Sequence, residues 1–302
     1  MRELLPAGSL ISADTLEELI TSNRAAPLQS LPLLQHASVK ADLLCFMHKP
    51  PYGAIFPDPD RNVSLLNLME EVRLVPPLLR SLDYFKAHDP YTYRHILMVF
   101  ALSALLSQLL GASHQNLVSE VMAGPTHDFG KICVPLHILK KSAPLTQSER
   151  RNLEHHAAAG FVLLAYYHKN SKDFAALVAR DHHERRDGSG YPRGIPLEDR
   201  LVEIVAASDV YDALLSPRPY RLTSYDNRTA LEELTRMAEG KALSWEVVRA
   251  LVAFNRTSKP HYSDCIVSTE KRGKPPDDNR YGVIVPENDH SPEGKEGEKR
   301  EK

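Results

Sequence analysis

The stretch DFAALVARDHHERRDGSGYP, residues 173–192, decides how the chain is read. Phe174, Leu177 and Val178 recur at helical spacing, and the same face continues into Asp181 and His182. An acid and an imidazole on an apolar stripe point at an interior. Burying such groups without partners costs several kcal/mol, so they must be paired or bound to metal. The helix then runs into DGSGYP, a tight Gly-rich turn whose amides can approach a phosphate and whose Tyr191 can offer a ring to a base.

The same pattern repeats on either side. His95 heads a stripe of Met98, Val99, Leu102, Leu106 and Leu109, and His156 shares one with Leu153, Gly160 and Leu164. Leu201, Ile204 and Val205 lead to Ser208 and Asp209, while His127 and Asp128 close a segment beginning at His114. Five helices therefore each direct a His or Asp towards one interior. A single such residue is ordinarily a core side chain bonded to a carbonyl, but the set points to metal. Ten of the 14 histidines lie between His88 and His183, about a third of the chain. Imidazole and carboxylate donors suit a binuclear site of first-row metals such as Fe, Mn, Zn or Ni.

Composition excludes several other classes. With 302 residues, 37 Lys+Arg against 39 Asp+Glu and a net charge of -2, the chain lacks the basic surplus of a general polyanion binder, so DNA or RNA binding is not expected. Cys45, Cys133 and Cys265 form no CxxC pair and suggest neither a disulfide framework nor a zinc knuckle. A reducing cytoplasm fits best. The opening residues lack a signal-peptide pattern. The most apolar run, Ile96 to Leu110, falls short of the roughly 20 residues that span a bilayer, so no membrane association is expected.

These features predict a mainly α fold, a helical bundle over residues 78–256, with candidate helices at 91–111, 114–128, 146–168, 171–184, 198–215, 226–239 and 244–255. Ser12 or Asp14 is a plausible cap in the N-terminal segment, as are Ser224 or Asp226 and Ser244 further on. Residues 1–77, broken by many prolines, read as a small irregular or α+β N-terminal module of unknown function. Residues 257–302 read as a mostly disordered polar tail, with YGVIV at 281–285 the one stretch able to dock locally.

Taken in order, HDFGK at 127–131, EHHAAAG at 154–160, HHERRDGSGYP at 182–192 and ASDVYDALLSPRPYR at 207–221 resemble the HD-GYP branch of the HD-domain metal-dependent phosphohydrolases. The resemblance runs from residue 89 to about residue 255. It implies an HD-type helical bundle holding two divalent metal ions, Fe or Mn. One ion would be held by His95, His127, Asp128 and Asp209, and Asp128 would bridge to a second held by His156, His182 and His183. Two metals about 3.5–4 Å apart can stabilise both attacking and leaving oxygens in a phosphoryl displacement. The implied activity is hydrolysis of cyclic di-GMP to pGpG, GMP or both by a metal-bound hydroxide.

Within that resemblance Asp128 and Lys131 are the catalytic candidates. Lys131, three residues beyond Asp128, is placed to neutralise developing phosphorane charge. Lys131, Gly190, Tyr191, Arg218 and Arg221 are the substrate-binding candidates, arginine being suited to phosphate by its bidentate fork. Tyr91 stands where some members carry a glutamate for a third metal, so two metals are expected. Pro125 interrupts the run before the HD pair and should kink or restart that helix. Two alternatives remain: a catalytically weak nucleotide-binding signalling module that docks a protein partner through the Gly-Tyr-Pro loop, and a hydrolase of a mixed cyclic dinucleotide. Oligomeric state is not legible.

Overall fold

The computed structural model of the protein describes residues 11–23, 29–110, 114–219, 221–279 and 283–286. The helices are α1 (Ala13–Asn23), α2 (Val39–His48), α3 (Pro59–Glu70), α4 (Pro76–His88), α5 (Pro90–Leu110), α6 (His114–Ala123), α7 (Leu136–Leu139), α8 (Gln147–Glu154), α9 (His156–His168), α10 (Phe174–Asp181), α11 (Arg200–Leu215), α12 (Asn227–Glu239) and α13 (Trp245–Asn255). The described strands are two-residue pieces: β1 (Leu31–Pro32) pairs antiparallel with β2 (Arg73–Leu74), and β3 (Leu145–Thr146) pairs parallel with β4 (Ile284–Val285). The fold is mainly α, as the periodicity requires.

The axis of the bundle is α5, which is apolar on nearly every face and packs against α2, α3, α4, α6, α11 and α13. Among the described helices it is the one long and apolar enough to cross a membrane, but 83% of its most apolar window lies inside the protein. A helix hydrophobic all round belongs in a core. His95 sits one turn into it, so a helix buried along most of its length carries the first candidate ligand.

Several boundaries differ from the periodicity. The expected helix at 114–128 stops at Ala123, and Gly124–Thr126 turns as 3₁₀ because Pro125 cannot supply an amide to continue the ladder. The expected helix at 146–168 is two helices meeting at His155, the first started by a capping box between Thr146 and Glu149. Asp226 rather than Ser224 caps α12, accepting from Thr229 N at 3.0 Å, and Ser12 accepts from Thr15 N at 3.1 Å ahead of α1.

The N-terminal segment, expected as irregular or α+β, is built of α1, α2 and α3 with the short β1–β2 pair. Its apolar side chains join the bundle's own core, which runs continuously from Leu16 to Cys265. Beyond α13 the chain runs largely exposed to Asn279 but is tied to the bundle by hydrogen bonds. Glu232 on α12 accepts from the amides of Arg272 and Gly273, and Asp278 accepts from Thr223 N. Of the YGVIV stretch, Ile284 and Val285 form β4; Tyr281, Gly282 and the remainder of the expected tail from Glu287 lie outside the described residues.

Candidate metal centre

Five separate parts of the chain deliver the seven candidate ligands. His95 comes from α5, His127 and Asp128 from the link between two 3₁₀ turns, His156 from the first position of α9, His182 and His183 from just beyond α10, and Asp209 from α11. All but His183 are buried. The turn Phe129–Cys133 is drawn against the start of α9 by a glycine contact between Gly130 and Gly160, which sets His156 beside Asp128.

Asp128 stands at the centre. Its Oδ2 lies 3.5 Å from both His95 Nε2 and His127 Nε2, while its Oδ1 lies 3.4 Å from His156 Nε2 and 3.9 Å from His182 Nε2. The two oxygens of one carboxylate thus face two donor groups. One group is His95, His127 and Asp209; the other is His156, His182 and His183, and within each the donor atoms lie within 4.8 Å of one another. His95 Nε2 is 2.9 Å from Asp209 Oδ1, and His156 Nε2 is 3.1 Å from His183 Nε2.

Electrostatics and hydrogen bonding fit a cation at this position. His127 Nε2 is buried and has no hydrogen-bond partner, while its Nδ1 is 2.7 Å from the Gly124 carbonyl. A buried polar atom left unsatisfied costs free energy that a bound ion would recover. Burial pushes the His156 imidazole down to about 4, and burial with His127 and His156 alongside pushes His182 down to about 3. Burial and the neighbouring His182 and His156 also lower His183. These rings are neutral at pH 7, with lone pairs available. Burial alone would raise the Asp128 carboxyl, but Lys131 and His127 hold it well below the usual range. Asp209 is likewise held low against its burial by His95. The donors are nitrogen and oxygen only, which suits divalent first-row metals.

Around this core the structure disposes the other candidates unevenly. Lys131 Nζ is 2.6 Å from Asp128 Oδ2 and its side chain is 15% exposed, so it sits at the rim. Tyr191 stacks on His183, ring centroids 4.5 Å apart and 20° between planes. A Cβ on Gly190 would lie 2.2 Å from the His183 carbonyl oxygen, so only glycine lets the loop press on that backbone. The loop amides expected to cradle a phosphate are engaged internally: Gly188 N donates to Arg185 O, Ser189 N to Asp187 Oδ1 and Tyr191 N to His183 O. Through the Tyr191 amide and the Tyr191 ring the loop braces His183. Arg218 and Arg221 are both buried and exchange backbone hydrogen bonds at 2.9 Å. The Arg221 guanidinium donates to the carbonyls of Leu214 and Ser216 at 2.9 and 3.0 Å, closing the end of α11.

Three residues around the ligands were not singled out by the sequence. Asp212, fully buried, accepts from His95 Nδ1 at 2.7 Å, from Ser216 Oγ at 2.9 Å and from the Tyr52 hydroxyl at 2.5 Å. Arg94 Nη1 lies 3.5 Å from its Oδ1. Asp212 follows Asp209 by three residues on the same helix face, a signal present in SDVYDAL. Tyr52, 160 residues from Asp212, leaves no such local signal.

A family model for the HD domain matches residues 75–242, more than half of the chain. A cyclic di-GMP phosphodiesterase response regulator of Xanthomonas campestris is 40% identical over 149 residues, covering 48% of this chain and 38% of that protein. A cyclic di-GMP phosphodiesterase of Pseudomonas aeruginosa is 32% identical over 249 residues, 78% of this chain and 58% of the relative. A 3'3'-cGAMP-specific phosphodiesterase of Vibrio cholerae is 34% identical over 137 residues, 45% of this chain and 29% of the relative. The chain thus spans well under two thirds of the curated relatives it matches. With its HD pair, HHE triplet and Gly-Tyr-Pro loop in order around one buried cluster, the chain belongs to the HD domain family, in its HD-GYP branch.

Proposed function

We propose that this chain is a metal-dependent phosphodiesterase that hydrolyses cyclic di-GMP to linear pGpG, GMP or both. The observation that carries this reading is the Asp128 carboxylate, whose two oxygens face two separate groups of nitrogen and oxygen donors. His95, His127, Asp128 and Asp209 are assigned to one divalent ion, and Asp128, His156, His182 and His183 to a second, with iron or manganese the proposed metals. Such a pair, when bound, supplies Lewis-acid charge and lowers the pKa of water.

The remaining work falls to the chain's own side chains. Lys131 places an ammonium at the rim beside Asp128, where it can offset charge on the phosphoryl oxygens. Arg218 is assigned as a second phosphate contact, with Arg221 shaping the turn that carries it. Gly190 and Tyr191 line the substrate side and hold His183 in place. Three unpaired cysteines accord with a cytoplasmic location, which is part of the proposal.

The test is anaerobic purification of the full chain with Fe or Mn, metal analysis, and chromatography of cyclic di-GMP beside an Asp128→Ala control. The expected result is about two metals per chain and loss of substrate in the parent alone. An Asp128→Ala protein that kept full metal content and activity would refute the assignment. Similarity to the 3'3'-cGAMP-specific relative favours a second reading, a mixed cyclic dinucleotide as substrate, which competition between the two nucleotides resolves. Bound nucleotide with metal but no turnover would instead identify a signalling module that docks a partner through the Gly-Tyr-Pro loop.

A further inference from the structure

The HD domain match begins at residue 75, yet a side chain from well before it reaches the metal centre. Tyr52 lies on the 3₁₀ turn Tyr52–Ala54 and is completely buried. Its hydroxyl donates to Asp212 Oδ1 at 2.5 Å, and Asp212 Oδ2 accepts from His95 Nδ1 at 2.7 Å. With its Nδ1 proton committed to Asp212, the His95 ring presents Nε2 to the cluster, 2.9 Å from Asp209 Oδ1 and 3.5 Å from Asp128 Oδ2. A carboxylate behind a ligating imidazole fixes its tautomer and ring orientation and raises its basicity.

We infer that Tyr52 is a positioning residue of the metal centre, holding Asp212 so that His95 keeps its nitrogen on the metal side; this rests on the metal reading above. The geometry gives the hydroxyl a specific task. Asp212 is a fully buried anion whose Oδ2 is shared by His95 and Ser216, while Oδ1 is held by Tyr52 with Arg94 at 3.5 Å. The Arg94 guanidinium also lies over the Tyr52 ring, 5.3 Å from its centroid, so the ring keeps that cation in place. Without the hydroxyl, Oδ1 loses its short donor and the carboxylate is free to turn away from His95. The N-terminal segment is then part of the metal site rather than an appendage to it.

The experiment measures Mn2+ affinity of the full chain by the electron paramagnetic resonance of free Mn2+. The comparison is between the parent, Tyr52→Phe and Tyr93→Phe. Tyr93 is a matched control: it is also a buried tyrosine donating to a carboxylate, Asp42, at 2.7 Å, but Asp42 is bonded to Lys86 and Ser38 rather than to a candidate ligand. Tyr52→Phe is expected to weaken Mn2+ binding about tenfold, the lower end of the effect of losing a ligand's own outer partner, with Tyr93→Phe within twofold of the parent. Ser216→Ala, which removes another hydroxyl donor to Asp212, carries the same expectation and serves if Tyr52→Phe folds poorly. Parent-like affinity in a folded Tyr52→Phe, parent-like affinity in Ser216→Ala where Tyr52→Phe does not fold, or equal weakening in Tyr93→Phe would overturn the proposal. A parent chain that bound no Mn2+ would overturn the metal reading itself, and the inference with it.

Discussion

Gly130 and Gly160 meet backbone to backbone: a Cβ built on Gly130 would fall 2.4 Å from Gly160 N and 1.9 Å from the His156 carbonyl oxygen. This contact presses the turn after Asp128 onto the first turn of α9 and fixes the separation of two candidate ligands. Gly130→Ala must therefore push main chain against main chain, which no rotamer change can relieve. A loss of about 3 kcal/mol or more is expected, beyond ordinary overpacking. The reciprocal change is milder, since a Cβ on Gly160 meets the Ala179 Cβ at 3.2 Å and Gly130 N at 3.4 Å. Thermal melts of the two variants should differ clearly, and equal stability would mean that the contact is loose.

Metal should stabilise the fold as well as equip the site. A ligand at 100 times its Kd adds about 2.7 kcal/mol to the native state, and for a chain of this size that raises Tm by roughly 4–5 °C. Adding Mn2+ to chelator-treated protein should produce such a shift, and Asp128→Asn should abolish most of it because one carboxylate serves both donor groups. A shift of undiminished size in Asp128→Asn would remove Asp128 from the ligand set.

Away from the centre, Asp42 ties α2 to α4 and α5. Its Oδ2 accepts from Lys86 Nζ at 2.5 Å and from the Tyr93 hydroxyl at 2.7 Å. Burial alone would raise the carboxyl, but Lys86, Tyr93 and Ser38 bring it below its ordinary 3.8. A depressed folded-state value means that the stabilisation is complete above pH 3.8 and is lost as pH falls through that lower value. Asp42→Asn should cost about 1 kcal/mol at pH 7, discounted for the exposure of Lys86, and the gap should narrow below pH 4. Urea melts of both proteins at pH 7, 5 and 3 check the sign; a gap that widened on acidification would contradict it.

What the sequence made legible here follows from which interactions are local. The helical stripes carrying His95, His156, His182 and Asp209 could be seen because periodicity records burial within one helix. The HD pair and the Gly-Tyr-Pro loop could be seen as strings. Helix ends were harder: at Pro125 a break could be foreseen, whereas the interruption at His155 arises where α8 ends and α9 begins without Pro or Gly. Arg221 is the opposite case: its spacing suggested phosphate, whereas the bonds of its guanidinium to the end of α11 are visible only in the fold. Tyr52 could not have been found at all, because only folding brings it to Asp212 across 160 residues.

Glu184, the third residue of the HHE triplet, tests whether the loop depends on a buried carboxylate. It is completely buried, and its two oxygens accept from Arg193 N at 2.7 Å and Ile195 N at 3.1 Å. These bonds anchor the far limb of the Gly-Tyr-Pro loop directly behind His183. Glu184→Gln replaces one acceptor by an amide NH2 facing a backbone N–H, so one donor is left unsatisfied at a cost of about 1–3 kcal/mol. The loss should be local. Amide exchange should accelerate at Arg193 and Ile195 while the amides of α5 keep their protection. Because Tyr191 stacks on His183 from the same loop, the variant should also bind Mn2+ more weakly at the His156, His182 and His183 group. Faster exchange across the whole bundle would instead make Glu184 a general stability residue, and unchanged exchange at Arg193 would show that the loop is held by other contacts.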